Sequence, residues 1–107
     1  MPDFAHPSER DVAALFDSYG IVWDYEPTTF VLERDEAGNP TFAFTPDFYL
    51  PDFDTYIELT TLRQPLVTRK HRKIRMLKEQ RPDVRVKILY RRDIERLGAK
   101  YGLADAA

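Results

Sequence analysis

A three-layer α/β domain, with a central mixed sheet of four to five strands flanked by helices, is the fold class this sequence predicts. Three observations carry that expectation. An amphipathic segment with helical spacing opens the chain, segments alternating apolar and polar residues fill its middle, and a strand, a helix and another strand follow one another towards its end. Strands joined through a helix of that length are expected to run parallel by a crossover connection. The chain has 107 residues, 43% hydrophobic and 13% aromatic, so one domain over residues 1–107 is expected, with its core at about 8–102.

Taken in order, Ser8-Glu9-Arg10-Asp11 forms a Ser-x-x-Asp capping box, which predicts a helix starting at Ser8. Val12, Leu15, Phe16 and Tyr19 then give one apolar stripe, and Gly20 supplies the left-handed stop. Glu9 falls on the buried side of that helix, at its N-terminal end. Ile21, Trp23 and Tyr25 alternate with Val22, Asp24 and Glu26 as a strand that Pro27 ends. Glu26, on the strand face opposite Trp23, suits either solvent or the rim of an acid cluster and is not assigned to a site.

Residues 29–34 and 41–50 read as two strands of a hairpin around the turn residues 35–40. Asp52-Phe53-Asp54 then turns the chain into Thr55–Thr60, a run of β-formers expected at the centre of the sheet. Folding symmetrically about residues 52–53 sets Leu50 opposite Thr55, Phe48 opposite Ile57 and Asp47 opposite Glu58. Leu66 to Gln80 reads as a helix with Val67, Ile74 and Leu77 as its apolar face, and Val84–Tyr90 as a strand. Asp93 caps a last helix carrying Ile94, Leu97 and Tyr101, and residues 103–107 read as a frayed tail. The six aromatics Trp23, Tyr25, Phe42, Phe44, Phe48 and Tyr56 fall at alternating strand positions and are expected in the core.

Composition narrows the chemistry. With no cysteine and only His6 and His71, thiol nucleophiles, thiolate zinc sites and imidazole cages are excluded, and any metal must be held by oxygen. No apolar run approaches a membrane span and the first residues lack the blocks of a signal peptide, so a cytoplasmic location is expected. The net charge is only −2, but residues 1–60 carry 13 acids and 2 bases, whereas residues 61–107 carry 14 bases and 5 acids. Such a split points to nucleic acid or an acidic partner, or to two halves that attract each other within one fold.

The register places two carboxylates, Asp47 and Glu58, in one small volume, where like charges push one carboxyl towards its neutral form. A divalent cation removes that repulsion. Mg²⁺ (or Mn²⁺) suits one or two carboxylates and leaves room for a phosphate oxygen, with the Leu59 carbonyl as a natural further ligand. Side chains alternate along a strand, so Thr60 shares the face of Glu58.

Pro46-Asp47 followed by Glu58-Leu59-Thr60, within a helix, sheet, helix and strand order over residues 8–95, resembles the PD-(D/E)XK nuclease superfamily. The resemblance implies a restriction endonuclease-like fold and a Mg²⁺ site on Asp47 and Glu58, with an acid from the first helix, here Glu9, as an additional member. It departs from the pattern at Thr60, where family enzymes carry a lysine that positions the attacking water or neutralises charge on the phosphate. A hydroxyl cannot replace that cation. Some relatives carry the lysine on the following helix, and Lys70, on the face of Val67 and Ile74, is placed to reach the site from there.

The expected catalytic set is therefore Glu9, Asp47, Glu58, Thr60 and Lys70. Lys70 would stabilise the pentacovalent charge and Thr60 would orient a water in the ion's shell. Arg69, Arg72, Lys73 and Arg75, with Lys78, are distributed around the outer faces of the helix that carries Lys70 and would form a basic ridge that attracts the backbone phosphates of nucleic acid, DNA rather than RNA. His71 flanks the ridge. So small a domain would need a homodimer, a fused partner or a structure-specific substrate. Two rival readings are a nuclease-like fold that only binds nucleic acid, which the missing strand lysine favours, and a protein-interaction module whose basic helix meets an acidic partner.

Overall fold

The first helix begins before the capping box. In the computed structural model, which describes residues 3–60, 64–93 and 96, helix α1 spans Pro7–Ser18 with His6 as its N-cap. Pro7 takes the first helical position, where a missing N–H costs nothing, and the His6 ring accepts the Ser8 amide at 3.2 Å while Ser8 Oγ meets the same ring nitrogen at 2.7 Å. The expected Ser8 cap is thus displaced by two residues. The helix does end at Gly20: with φ +70° there, the Gly20 amide donates to Asp17 O at 3.0 Å and the Ile21 amide to Phe16 O at 2.8 Å, which completes a Schellman motif.

The expected strand over 21–25 shortens to β1, Asp24–Tyr25. The hairpin is β2, Phe30–Arg34, with β3, Pro40–Phe44. The expected strand over 41–50 is two strands in two sheets. Pro46 has no amide to donate, and beyond it the chain resumes as β4, Phe48–Leu50, in the central sheet. A 3₁₀ turn, Pro51–Phe53, closed by Asp54 at φ +48°, leads into β5, Thr55–Thr60. Helix α2, Gln64–Gln80, and strand β6, Val86–Tyr90, follow.

The central sheet is mixed, in the order β1-β4-β5-β6. β4 runs antiparallel to β5 with Leu50 opposite Thr55 and Phe48 opposite Ile57. β5 runs parallel to β6, with α2 as the connection. Helix α1 covers one face through Val12, Ala13 and Phe16 against Phe48, Leu50, Ile57 and Leu59. On the other face the hairpin and α2 pack Leu32, Phe44, Ile74 and Leu77 against Val86 and Ile88. The architecture is α/β with a four-stranded mixed sheet between these layers. Residues 91–93 are already helical directly after β6, so the last helix begins two residues before the expected Asp93 cap, and the Asp93 side chain accepts the Tyr90 amide at 2.9 Å from within that first turn. Ile94, Leu97, Tyr101 and the tail at 103–107 lie outside the described residues, as does the side chain of Val67. No helix among the described residues is long and apolar enough to cross a membrane.

Candidate metal and phosphate site

Phe48 decides where Asp47 points. Its ring is fully buried, with the rings of Phe16, Trp23 and Tyr25 at 5.5, 5.6 and 5.7 Å between centroids. Strand alternation then turns Asp47 to the opposite face, the one Glu58 occupies. Two hydrogen bonds lock the acids together. The Leu59 amide donates to Asp47 Oδ2 at 2.8 Å, and the Asp47 amide donates to Glu58 Oε1 at 3.2 Å. The carboxylates thus replace ladder carbonyls just beyond the last paired residues, Phe48 and Ile57.

Electrostatics follow from burial. Glu58 is only 4% exposed. Burial first, and then the charge of Glu58, push the Asp47 carboxyl up to about 8. Burial also raises Glu58, against the opposing pull of the Lys70 ammonium. A dication between such groups would reverse both shifts, since it favours their ionised forms.

Glu9 is buried at the start of α1 and accepts two hydrogen bonds on Oε1, from the Ala5 amide at 3.1 Å and from the Tyr25 hydroxyl at 2.5 Å. One carboxylate oxygen from each of Glu9, Glu26 and Asp47 lies within 4.8 Å of the other two. Glu26 is the member that sequence reasoning left unassigned. Its φ of +46° takes it out of strand alternation, and its amide donates to the Asp47 carbonyl at 2.9 Å. The available signal was its place directly before Pro27, where the strand must end; a left-handed turn at a glutamate is not written in residue type.

Lys70 crosses from α2 to the acids. It shares the inward face of α2 with Ile74 and Leu77, and its Nζ lies 3.0 Å from Glu58 Oε2 and donates to the Leu59 carbonyl at 2.5 Å. Thr60 is 4% exposed and pairs with Tyr90 across the parallel ladder. Among the described residues its Oγ1 is the one buried side-chain polar atom without a hydrogen-bond partner.

The basic residues of α2 do not form one ridge. Arg69, Arg72 and Lys73 converge on the Phe42 ring of β3, at 5.6, 5.0 and 5.3 Å from its centroid. Arg72 also meets Glu33 at 3.4 Å. Burial and the neighbouring Arg69 lower the pKa of Lys73, while Glu58 opposes that shift. Arg75 is elsewhere. It lines a groove with His71, Ile74, Ile88 and Tyr90 on the β6 side of α2, because a helix turns 100° per residue and position 75 falls off the face of 69, 72 and 73. His71 meets the Tyr90 hydroxyl there at 3.0 Å. Phe42, expected in the core, is only half-buried, with cations over its face.

The donor set fits a hard dication. Every candidate ligand is oxygen, two of the acids are nearly buried, and the unpartnered Thr60 hydroxyl sits on the Glu58 face of the strand, next to the Leu59 carbonyl. What fold and site define together is an α/β protein with a carboxylate cluster, crossed by one lysine, at the junction of its central strands. Compared with family models, curated proteins and solved structures, the chain matches none of them.

Proposed function

We propose that this chain is a Mg²⁺-dependent (or Mn²⁺-dependent) nuclease of the PD-(D/E)XK kind, with a restriction endonuclease-like fold, that hydrolyses nucleic-acid phosphodiesters, DNA in preference to RNA. The observation that carries this reading is the convergence of Asp47, Glu58 and Lys70. Two acids joined by reciprocal backbone hydrogen bonds, with a lysine delivered from α2 rather than from position 60, support a motif whose cation has moved.

Asp47, Glu58 and the Leu59 carbonyl would hold the ion. When bound it would polarise a phosphate oxygen and lower the pKa of an attacking water. The chain's own groups do the rest. Glu9, fixed by Tyr25, holds an acceptor beside Asp47 for the water's proton, and Glu26 adds a further oxygen to that side. The Thr60 hydroxyl is free to orient a water. Lys70 brings positive charge to the phosphate, and Arg69, Arg72 and Lys73 draw the flanking phosphates towards the acids, an attraction that weakens steeply with salt. A cytoplasmic setting and a second copy or fused partner to widen the footprint belong to the same reading.

The test is cleavage of plasmid and of single-stranded oligonucleotide in Mg²⁺ or Mn²⁺ by the native chain and by Asp47→Asn. Metal-dependent cleavage by the native chain, lost at least a hundredfold in the variant (~3 kcal/mol in the barrier), is the expected result; no cleavage, or equal cleavage by both, contradicts it. Thr60 in place of the strand lysine favours a second reading, a nucleic-acid-binding protein without turnover. Salt-dependent binding with no metal-dependent cleavage would select that one.

A further inference from the structure

Lys70 stands where the ion would. Of the two Glu58 oxygens, Oε1 already takes the Asp47 amide, which leaves Oε2 as the oxygen without a backbone partner among the described residues. The Lys70 ammonium lies 3.0 Å from that oxygen and donates to the Leu59 carbonyl. Both are oxygens the proposed metal needs. A carboxylate as buried as Glu58 requires a positive neighbour at all times, since an uncompensated charge in that setting is strongly destabilising. Lys70 supplies it, and with its side chain 21% exposed on a flexible four-carbon stem it has an open route by which to withdraw.

We propose that Lys70 is a resident cation that holds the Glu58–Leu59 position until a divalent ion takes it, and that its withdrawal frees the ammonium for the substrate phosphate. This rests on the metal-dependent reading and adds to it an order of events. The phosphate-directed cation becomes available only once the metal position is filled. Lys70 and the ion are then competitors for the same two oxygens, and any change that removes the ammonium without removing an oxygen must tighten metal binding.

The test is calorimetric titration of Mn²⁺ into the native chain and into Lys70→Met. The variant is expected to bind about tenfold more tightly or better, because its buried carboxylate has lost its competing partner. A second measurement uses the native protein alone, so that a variant that does not fold leaves the question decidable. The Lys70 ε-methylene NMR resonance, assigned by its loss in Lys70→Arg, is expected to move on addition of Mg²⁺ with the midpoint of metal binding. Unchanged or weaker binding in the folded methionine variant, or a motionless resonance while Mg²⁺ binds, overturns the competition and leaves the metal reading standing. No metal binding by either protein overturns that reading, and the competition with it.

Discussion

Asp47 favours its neutral form, because burial and the adjacent Glu58 raise its pKa from 3.8 to about 8. A carboxyl raised on folding takes up a proton that the unfolded chain does not hold. Its contribution to stability is therefore complete below 3.8 and is lost as pH rises through about 8. Glu58 shifts in the same direction. In chelator, the melting temperature should fall as pH rises across this window, and Asp47→Asn should flatten the fall; a slope of the same size in the variant would show that the titrating group lies elsewhere. Saturating Mg²⁺ should reverse the trend, since an ion held by carboxylates binds their deprotonated forms. At this scale much of the site was legible. Asp47, Glu58 and Lys70 follow from register and helix phase. Glu26 does not, because its inclusion depends on a positive φ rather than on any periodicity.

The elements explain why the pair is held so firmly. β4 contributes only three residues, yet Phe48 anchors it in an aromatic cluster of Phe4, Phe16, Trp23 and Tyr25. Removing that ring should release both the strand and the carboxylate before it. Phe48→Ala is expected to cost about 3–5 kcal/mol by urea denaturation and to weaken metal binding in step. Phe53→Ala, at a ring 53% exposed, should cost less than about 0.5 kcal/mol. Equal costs for the two would deny β4 its anchoring role. The register of β4 on β5 was readable because Asp52-Phe53-Asp54 fixes the turn and a one-residue slip would expose Phe48 and Ile57 to the wrong face. The division of residues 41–50 between two sheets was harder to read. Thr41 to Leu50 keeps strand-forming composition throughout, and only Pro46 marks the break. The start of α1 shows the same competition, where a Ser-x-x-Asp pattern lost to a histidine cap followed by proline.

Across the whole molecule, the acidic first half and basic second half meet at the site. The acids come from α1, the turn after β1, the approach to β4 and β5, and the cation facing them comes from α2. The charge split is thus partly internal, through Lys70 with Glu58 and Arg72 with Glu33, and partly presented outward by Arg69, Arg72 and Lys73 around Phe42. Composition alone leaves those two uses of charge unresolved; the topology assigns residues to each. The parallel β5–α2–β6 unit is what permits it, since it returns a helix rich in bases across the face that carries Glu58. The most direct measurement of whether these carboxylates form a metal centre is an anomalous difference map from a crystal of the native chain grown with Mn²⁺. A single strong peak bonded by both Asp47 and Glu58, with the Lys70 ammonium moved off Glu58 Oε2, is the predicted result. A map with no peak between the two acids at saturating Mn²⁺, and Lys70 still against Glu58, would contradict it.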